Sequence, residues 1–190
     1  MSFTTETIFR LPFFWYFSTM KKTLFLLGVY LCVVFAVYAQ DTTQDTLPYL
    51  KYPTLPAFNV RLTDSETIFN TYNIEKGRAV MIILFSPDCS HCQAFFKKLL
   101  PAMDSFKNID FYLVTLYSKM NVLRDFYKTE GFEKYSNIKV VGRDYEFFCP
   151  AFYGLTSIPD LMLYDKNKKL VKLIDHPKKI EDIYEVTHGL

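Results

Sequence analysis

The sequence predicts an α/β domain in which a central mixed β-sheet is flanked by helices, and three observations carry that reading. The run Ala79-Val80-Met81-Ile82-Ile83-Leu84-Phe85 is apolar without interruption, as a strand covered on both faces is. Directly after it, Cys92, Phe95, Phe96, Leu99, Leu100 and Met103 recur at helical spacing and give one apolar face. Near the C-terminus, the apolar runs 160–164 and 170–174 are joined by Asp165-Lys166-Asn167-Lys168-Lys169, a polar turn that reads as a hairpin.

Before the domain comes a leader. Met20-Lys21-Lys22, an uncharged run over 23–37 and Val37-Tyr38-Ala39-Gln40 form the charged start, apolar core and small-residue cleavage point of a secretory signal, cut after Ala39. The run is short for the roughly 20 residues of a comfortable membrane span. It therefore reads as a cleaved signal and not as a retained anchor, so the expected location is periplasmic or otherwise extracytoplasmic. Cys32 follows Val29-Tyr30-Leu31, which lacks the small residue that lipid attachment wants, and reads as part of the signal core. Residues 1–19 stand in front of a complete signal, so Met20 is read as the true start and the upstream stretch as a misassigned extension.

Residues 40–56 are polar, threonine-rich and broken by Pro48, Pro53 and Pro56: a linker or extended arm, which Tyr49 and Tyr52 are placed to pin. The domain then runs over 57–190. Its expected elements are a short strand at 57–62, a helix at 65–74 with Ser65 as N-cap, and a break at Gly77 before the strand 79–85. A helix follows over 89–106, kinked at Pro101 because proline removes a helix hydrogen bond. Next come a strand at 110–117, a helix at 119–128, a short apolar piece at 138–141, a helix at 145–153, the hairpin, and a closing helix at 177–185. The order is β-α-β-α-β-β-α, with an insertion between about 117 and 150.

Composition narrows the function. Without Arg10, Lys21, Lys22 and Glu6, the 22 basic and 20 acidic residues become 19 and 19. A near-neutral chain gives no reason to expect nucleic acid or an anionic membrane surface as partner; any membrane contact is through the leader, if uncleaved. Cys89, Cys92 and Cys149 are too few for a disulfide framework. In an exported chain, one CxxC pair reads more readily as redox machinery than as architecture.

That pair is Cys89-Ser90-His91-Cys92, at the junction between the buried strand and the helix. Two thiols so spaced can close into a small ring and reopen. Cys89 stands at the helix N-terminus, where unpaired N–H groups and the macrodipole favour the thiolate that attacks a disulfide. Cys92, one turn on and more buried, resolves the mixed disulfide. An inert disulfide and half of a zinc site are the duller readings. Zinc needs two more suitably spaced ligands, and His91, Cys149, His176 and His188 form no second paired motif, so no metal is expected.

With Ile158-Pro159 opening the run 160–164, the CxxC strand–helix unit resembles the thioredoxin-like family over about residues 57–173. It is most similar to the secreted thiol–disulfide reductases and redoxin-type proteins of bacterial envelopes. The resemblance implies that Pro159 is a cis proline beside the cysteines and that Ile158 lends its backbone to substrate. It implies no cofactor beyond the redox-active Cys89–Cys92 disulfide. The implied partners are protein thiols or disulfides of the cell envelope, with a membrane electron donor if the chain is a reductase. Asp88, Ser90 and His91 are the residues placed to tune the pair. A His91 imidazolium favours the Cys89 thiolate and the Asp88 carboxylate opposes it, unless Asp88 is only a helix cap.

The chain also departs from the family. Ile83 occupies the place of the buried aspartate six residues before the first cysteine, which helps move protons to the resolving thiol. Water or another group must do this here, with Glu75, Asp110 and Glu146 as candidates by composition. Cys149, among Phe147, Phe148 and Phe152, reads as a core residue. The competing functions are a non-catalytic binding module of the same fold and a thiol peroxidase. Ser86-Pro87-Asp88-Cys89 fits the second poorly, because it lacks the Thr/Pro-rich setting and nearby arginine of a peroxidatic cysteine.

Overall fold

In the computed structural model, the described residues are 47–190 apart from 117, 178 and 189, together with Gly28 and Tyr30. The signal core, the cleavage after Ala39, Cys32 and the extension at 1–19 lie outside the described residues, those two positions excepted. Among the described residues no helix is long and apolar enough to cross a membrane.

The compact unit spans Leu47–Leu190. It is built on a seven-stranded mixed sheet of β1 (Asn59–Leu62), β2 (Ile68–Asn70), β3 (Ala79–Phe85), β4 (Ile109–Thr115), β5 (Ile138–Arg143), β6 (Asp160–Tyr164) and β7 (Leu170–Asp175). Their order across the sheet is β2-β1-β5-β4-β3-β6-β7. The helices are α1 (Pro48–Lys51), α2 (Ser90–Leu99), α3 (Met120–Glu130), α4 (Phe148–Tyr153) and α5 (Glu181–Thr187). β3 is parallel to β4, from Ala79 opposite Ile109 to Phe85 opposite Thr115, and antiparallel to β6. All seven β3 residues are buried. The expected α/β class, with a mixed sheet between helices, is the one observed.

Strand alternation divides the core into two layers. Met81, Ile83 and Phe85 face Cys92 and Phe96 of α2, Leu123 of α3 and Ile183 of α5. Val80, Ile82 and Leu84 face Phe58, Cys149 and Tyr153 on the other side. Phe96 has Phe85 and Phe132 edge-on at 5.2 Å each, so α2 is fixed to the sheet by interlocked aromatics.

Three local expectations need correcting. Residues 65–74 are not a helix but the turn and second strand of a β1–β2 hairpin, followed by a 3-10 turn at Thr71–Asn73. Asp64 accepts from the amides of Glu66 and Thr67, each at 2.9 Å, and Ser65 takes φ 73°, so local hydrogen bonding turns the chain before a helix can start. The long helix stops at Leu99. The backbone tightens into a 3-10 helix over Leu100–Phe106 with Pro101 in its first turn, where a missing N–H costs least. α4 starts only at Phe148, because Phe147 sits at φ 56°.

Two segments do more than their sequence suggests. The apolar piece at 138–141 is the core of β5, which enters the sheet between β1 and β4; the insertion therefore widens the sheet. The second half of the arm at 40–56 lies on the body. Tyr49 packs on Tyr153 with ring centroids 6.1 Å apart, whereas Tyr52 stays exposed. Pro53 and Leu55 exchange backbone hydrogen bonds with Leu170 and Lys168 at the start of β7.

Candidate active site

The site lies where β3 ends. Residues 86–88 turn the chain from Phe85 into α2, and Cys89 is the N-cap residue with extended backbone, φ −90° and ψ 116°. Its N–H donates to the Ser86 carbonyl at 3.1 Å, and its own carbonyl accepts from the Gln93 N–H at 3.0 Å. Gln93 Nε2 donates to the Pro87 carbonyl at 2.7 Å and so clamps the loop to the helix it feeds. Gln93 was not among the residues expected at the site, although an amide four residues after an N-cap is well placed for this. Asp88 precedes the cap position and is exposed, as are Ser90 and His91 on the first turn. The helix-cap alternative for Asp88 does not hold, since the cap position belongs to Cys89.

The two thiols are free and differ sharply in surroundings. Cys89 is partly exposed, and Cys92 is fully buried one turn later. Burial strips water from a Cys92 thiolate and pushes that thiol up to about 12. A backbone hydrogen bond from Ser86 pulls the other way, while a hydrogen bond to the Cys89 side chain and the charges of Cys89 and Asp160 hold the proton on.

From the far side, β6 brings Ile158 and Pro159 to the motif. The Ile158–Pro159 peptide bond is cis, Pro159 is buried, and His91 and Pro159 line the same cleft. Ile158 packs on both core layers at the end of the sheet.

None of the three acids proposed from composition stands behind Cys92. Asp110 lies opposite Val80, at the other end of β3, and is paired with Arg78 at 2.8 Å; Glu75 and Glu146 are exposed. The acid whose charge reaches Cys92 is Asp160, directly after the cis proline and 1% exposed. Ser157 Oγ donates to it at 3.1 Å and the His176 N–H at 3.2 Å, and Asp175 lies opposite it on β7. Burial, then the hydrogen bond shared with Asp175, pushes the Asp160 carboxyl up to about 6. His176 first, then Ser157 and Asp160, hold Asp175 down at about 2. An aspartate opening an apolar strand was the signal that sequence reasoning had available and did not use.

Cys149 is far from this chemistry, in the opposite core layer. It is fully buried, its N–H donates to Asp144 at 2.8 Å, and burial raises its thiol well above the ordinary range. That is the environment of a core cysteine.

No protein-family model and no curated protein sequence matches the chain. Solved structures do. A thiol:disulfide interchange protein of the thioredoxin family from Chlorobium tepidum TLS aligns with TM-score 0.57 and 18% identity over 70% of this chain and 92% of its own. StoA from Bacillus subtilis gives TM-score 0.54 and 19% identity over 72% and 100% of the two chains. A secreted Mycobacterium tuberculosis disulfide oxidoreductase homologous to E. coli DsbE gives TM-score 0.56 and 14% identity over 70% and 96%. At such identities the likeness establishes the fold, which is thioredoxin-like.

Proposed function

We propose that the chain is an exported thiol–disulfide oxidoreductase that exchanges disulfides with protein cysteines through Cys89 and Cys92. The observation that carries the proposal is the asymmetry of the pair on a thioredoxin-like scaffold. A partly exposed thiol stands at a helix N-terminus, and a buried one, raised to about 12, shares a hydrogen bond with it. That is the division of labour between an attacking and a resolving sulfur. Export is supported by the signal-like leader and by the kinship in fold with an oxidoreductase described as secreted.

In the reducing direction, the Cys89 thiolate attacks one sulfur of a substrate disulfide. A Cys89–substrate bond forms, and the other substrate sulfur leaves as a thiolate and takes a proton. Cys92 then loses its proton and attacks Cys89 Sγ, which expels the second substrate thiolate. Two electrons pass from the dithiol to the substrate, and the chain is left with a Cys89–Cys92 disulfide. Renewing the dithiol needs a dithiol donor, assigned here to a membrane protein. With Cys92 buried, the bound substrate sees only Cys89. Its escape therefore depends on Cys92.

Cys92→Ala is accordingly expected to accumulate mixed disulfides through Cys89, detected as thiol-sensitive adducts on non-reducing gels of envelope extracts. Cys89→Ser in the same background should abolish them. If no adduct forms with Cys92→Ala, the reading gives way to a binding module that keeps the fold without the exchange.

A further inference from the structure

The loop over 86–88 carries backbone groups that face both thiols. The Ser86 carbonyl accepts from the Cys89 N–H at 3.1 Å, and a backbone hydrogen bond from Ser86 also reaches the Cys92 thiol. That bond favours the Cys92 thiolate, so its donor is the Ser86 N–H. Burial and the charge of Asp160 work against the same thiolate, and the Ser86 N–H is the contact that offsets them.

Pro87 is buried and has no N–H, so its carbonyl is the backbone polar group by which the loop can be tied there. Gln93 Nε2 reaches back to that carbonyl at 2.7 Å. The Ser86 hydroxyl, by comparison, makes long contacts of 3.4 Å with Ser118 Oγ and the Asp88 N–H. Gln93 directly follows Cys92 in the chain, and Ser86 directly precedes Pro87. The four residues therefore close a ring. Cys92 leads to Gln93 through the chain, Gln93 to Pro87 through its amide, Pro87 to Ser86 through the chain, and Ser86 back to the Cys92 sulfur. Opening the ring at Gln93 frees the loop to carry its N–H away from a sulfur buried from water.

We propose that Gln93 is a positioning residue for the resolving step, holding the loop so that the Ser86 N–H stays on the Cys92 sulfur. The proposal rests on the oxidoreductase reading and adds a residue to it. In that step the Cys92 proton passes to solvent and the thiolate attacks Cys89 Sγ. A Cys89–Cys92 bond forms, the Cys89–substrate bond breaks, and the substrate sulfur leaves as a thiolate. The rate follows the thiolate fraction of Cys92, which the N–H raises. Cys89 is partly exposed at the helix start, so the opening attack does not depend on this bond.

The test reacts the reduced full chain, in a Cys32→Ser background, with the chromogenic aromatic disulfide DTNB and follows the coloured thiolate released. Attack by Cys89 releases the first equivalent at a rate that rises with DTNB concentration. Attack by Cys92 on the Cys89 adduct releases the second at a rate that does not. Gln93→Met keeps the length of the side chain without the donor, and Gln93→Asn keeps the amide but falls short of Pro87. In both, the second phase is expected to slow about tenfold, as loss of a hydrogen bond to a charged group does. Its pH profile should lie about one unit above that of the wild type, with the first phase within about twofold. Cys149 gates the comparison. It is fully buried in the folded chain, so a variant that releases a third equivalent is set aside for the other one. A second phase at the wild-type rate, or two phases slowed alike, would overturn the role of Gln93 alone. A wild-type chain that releases only the first equivalent would overturn the oxidoreductase reading and this inference together.

Discussion

At the scale of single residues, Asp160 is the group with the clearest consequence for pH. Its carboxyl sits at about 6 in the folded chain, against an ordinary 3.8, so the native state binds that proton more tightly than the unfolded one. Stability from this source is complete below about 3.8 and is lost as pH rises through about 6. Asp175 acts in a different window, contributing above 3.8 and losing its contribution as pH falls through about 2. Of these two groups, only Asp160 changes its contribution above about 3.8. Asp160→Asn keeps an acceptor for Ser157 and His176 while removing the charge. The wild-type Tm should therefore fall relative to the Asp160→Asn Tm between about pH 4.5 and 7; melting curves at constant ionic strength check this, and a constant difference would refute it. The asymmetry of Cys89 and Cys92 was legible from their order in a helix start. The influence of Asp160 was not, because it comes from a strand about seventy residues away and depends on the pairing of β6 with β3 and β7.

At the scale of elements, β5 shows both what periodicity reveals and what it hides. The apolar residues at 138–141 announced a buried piece, but not its place in the sheet. That place depends on Gly142, because a Cβ there would run into the Arg61 carbonyl and the Val60 side chain of β1. Gly142→Ala must push β1 away from β5 or bend the strand, at a cost of about 1–3 kcal/mol. Urea unfolding should show that loss as a lower midpoint with little change in slope. The strands β3, β4, β6 and β7 were legible because long apolar runs with a polar turn have few other solutions. The strand at 57–62 was legible, but the turn and second strand that follow it were misread as a helix, because Asp64 and Ser65 serve equally well as helix-start and turn residues. Only the local hydrogen bonds to Asp64 decide between them.

At the scale of the whole molecule, the Cys89–Cys92 pair stands at one end of a sheet packed on both faces, and its buried member is set against ionisation. If the pair runs in the reducing direction, its reduction potential, measured by equilibration against glutathione buffers, is expected at about −250 mV or lower, in the range of reductants. A value between about −120 and −180 mV would place the chain among oxidases and isomerases and credit His91 with the difference. The fold class was legible in the sequence because the central strand, the CxxC helix and the Ile-Pro strand are all local signals. The cleft beside them was not, since it is assembled from α2, the cis-proline turn and the approach to α5.

The short strap that crosses the start of β7 has a meaning for the protein in a crowded compartment. β7 is the last strand of the sheet, and its outer side presents backbone donors and acceptors to any extended chain that drifts past. Pro53 and Leu55 occupy the first of them, and Thr54 bridges Lys169. Pro53 and Pro56 have no N–H with which to recruit a further strand. The segment thus covers the start of an edge that would otherwise be open to pairing with another extended chain, the kind of exposure that favours edge-to-edge association.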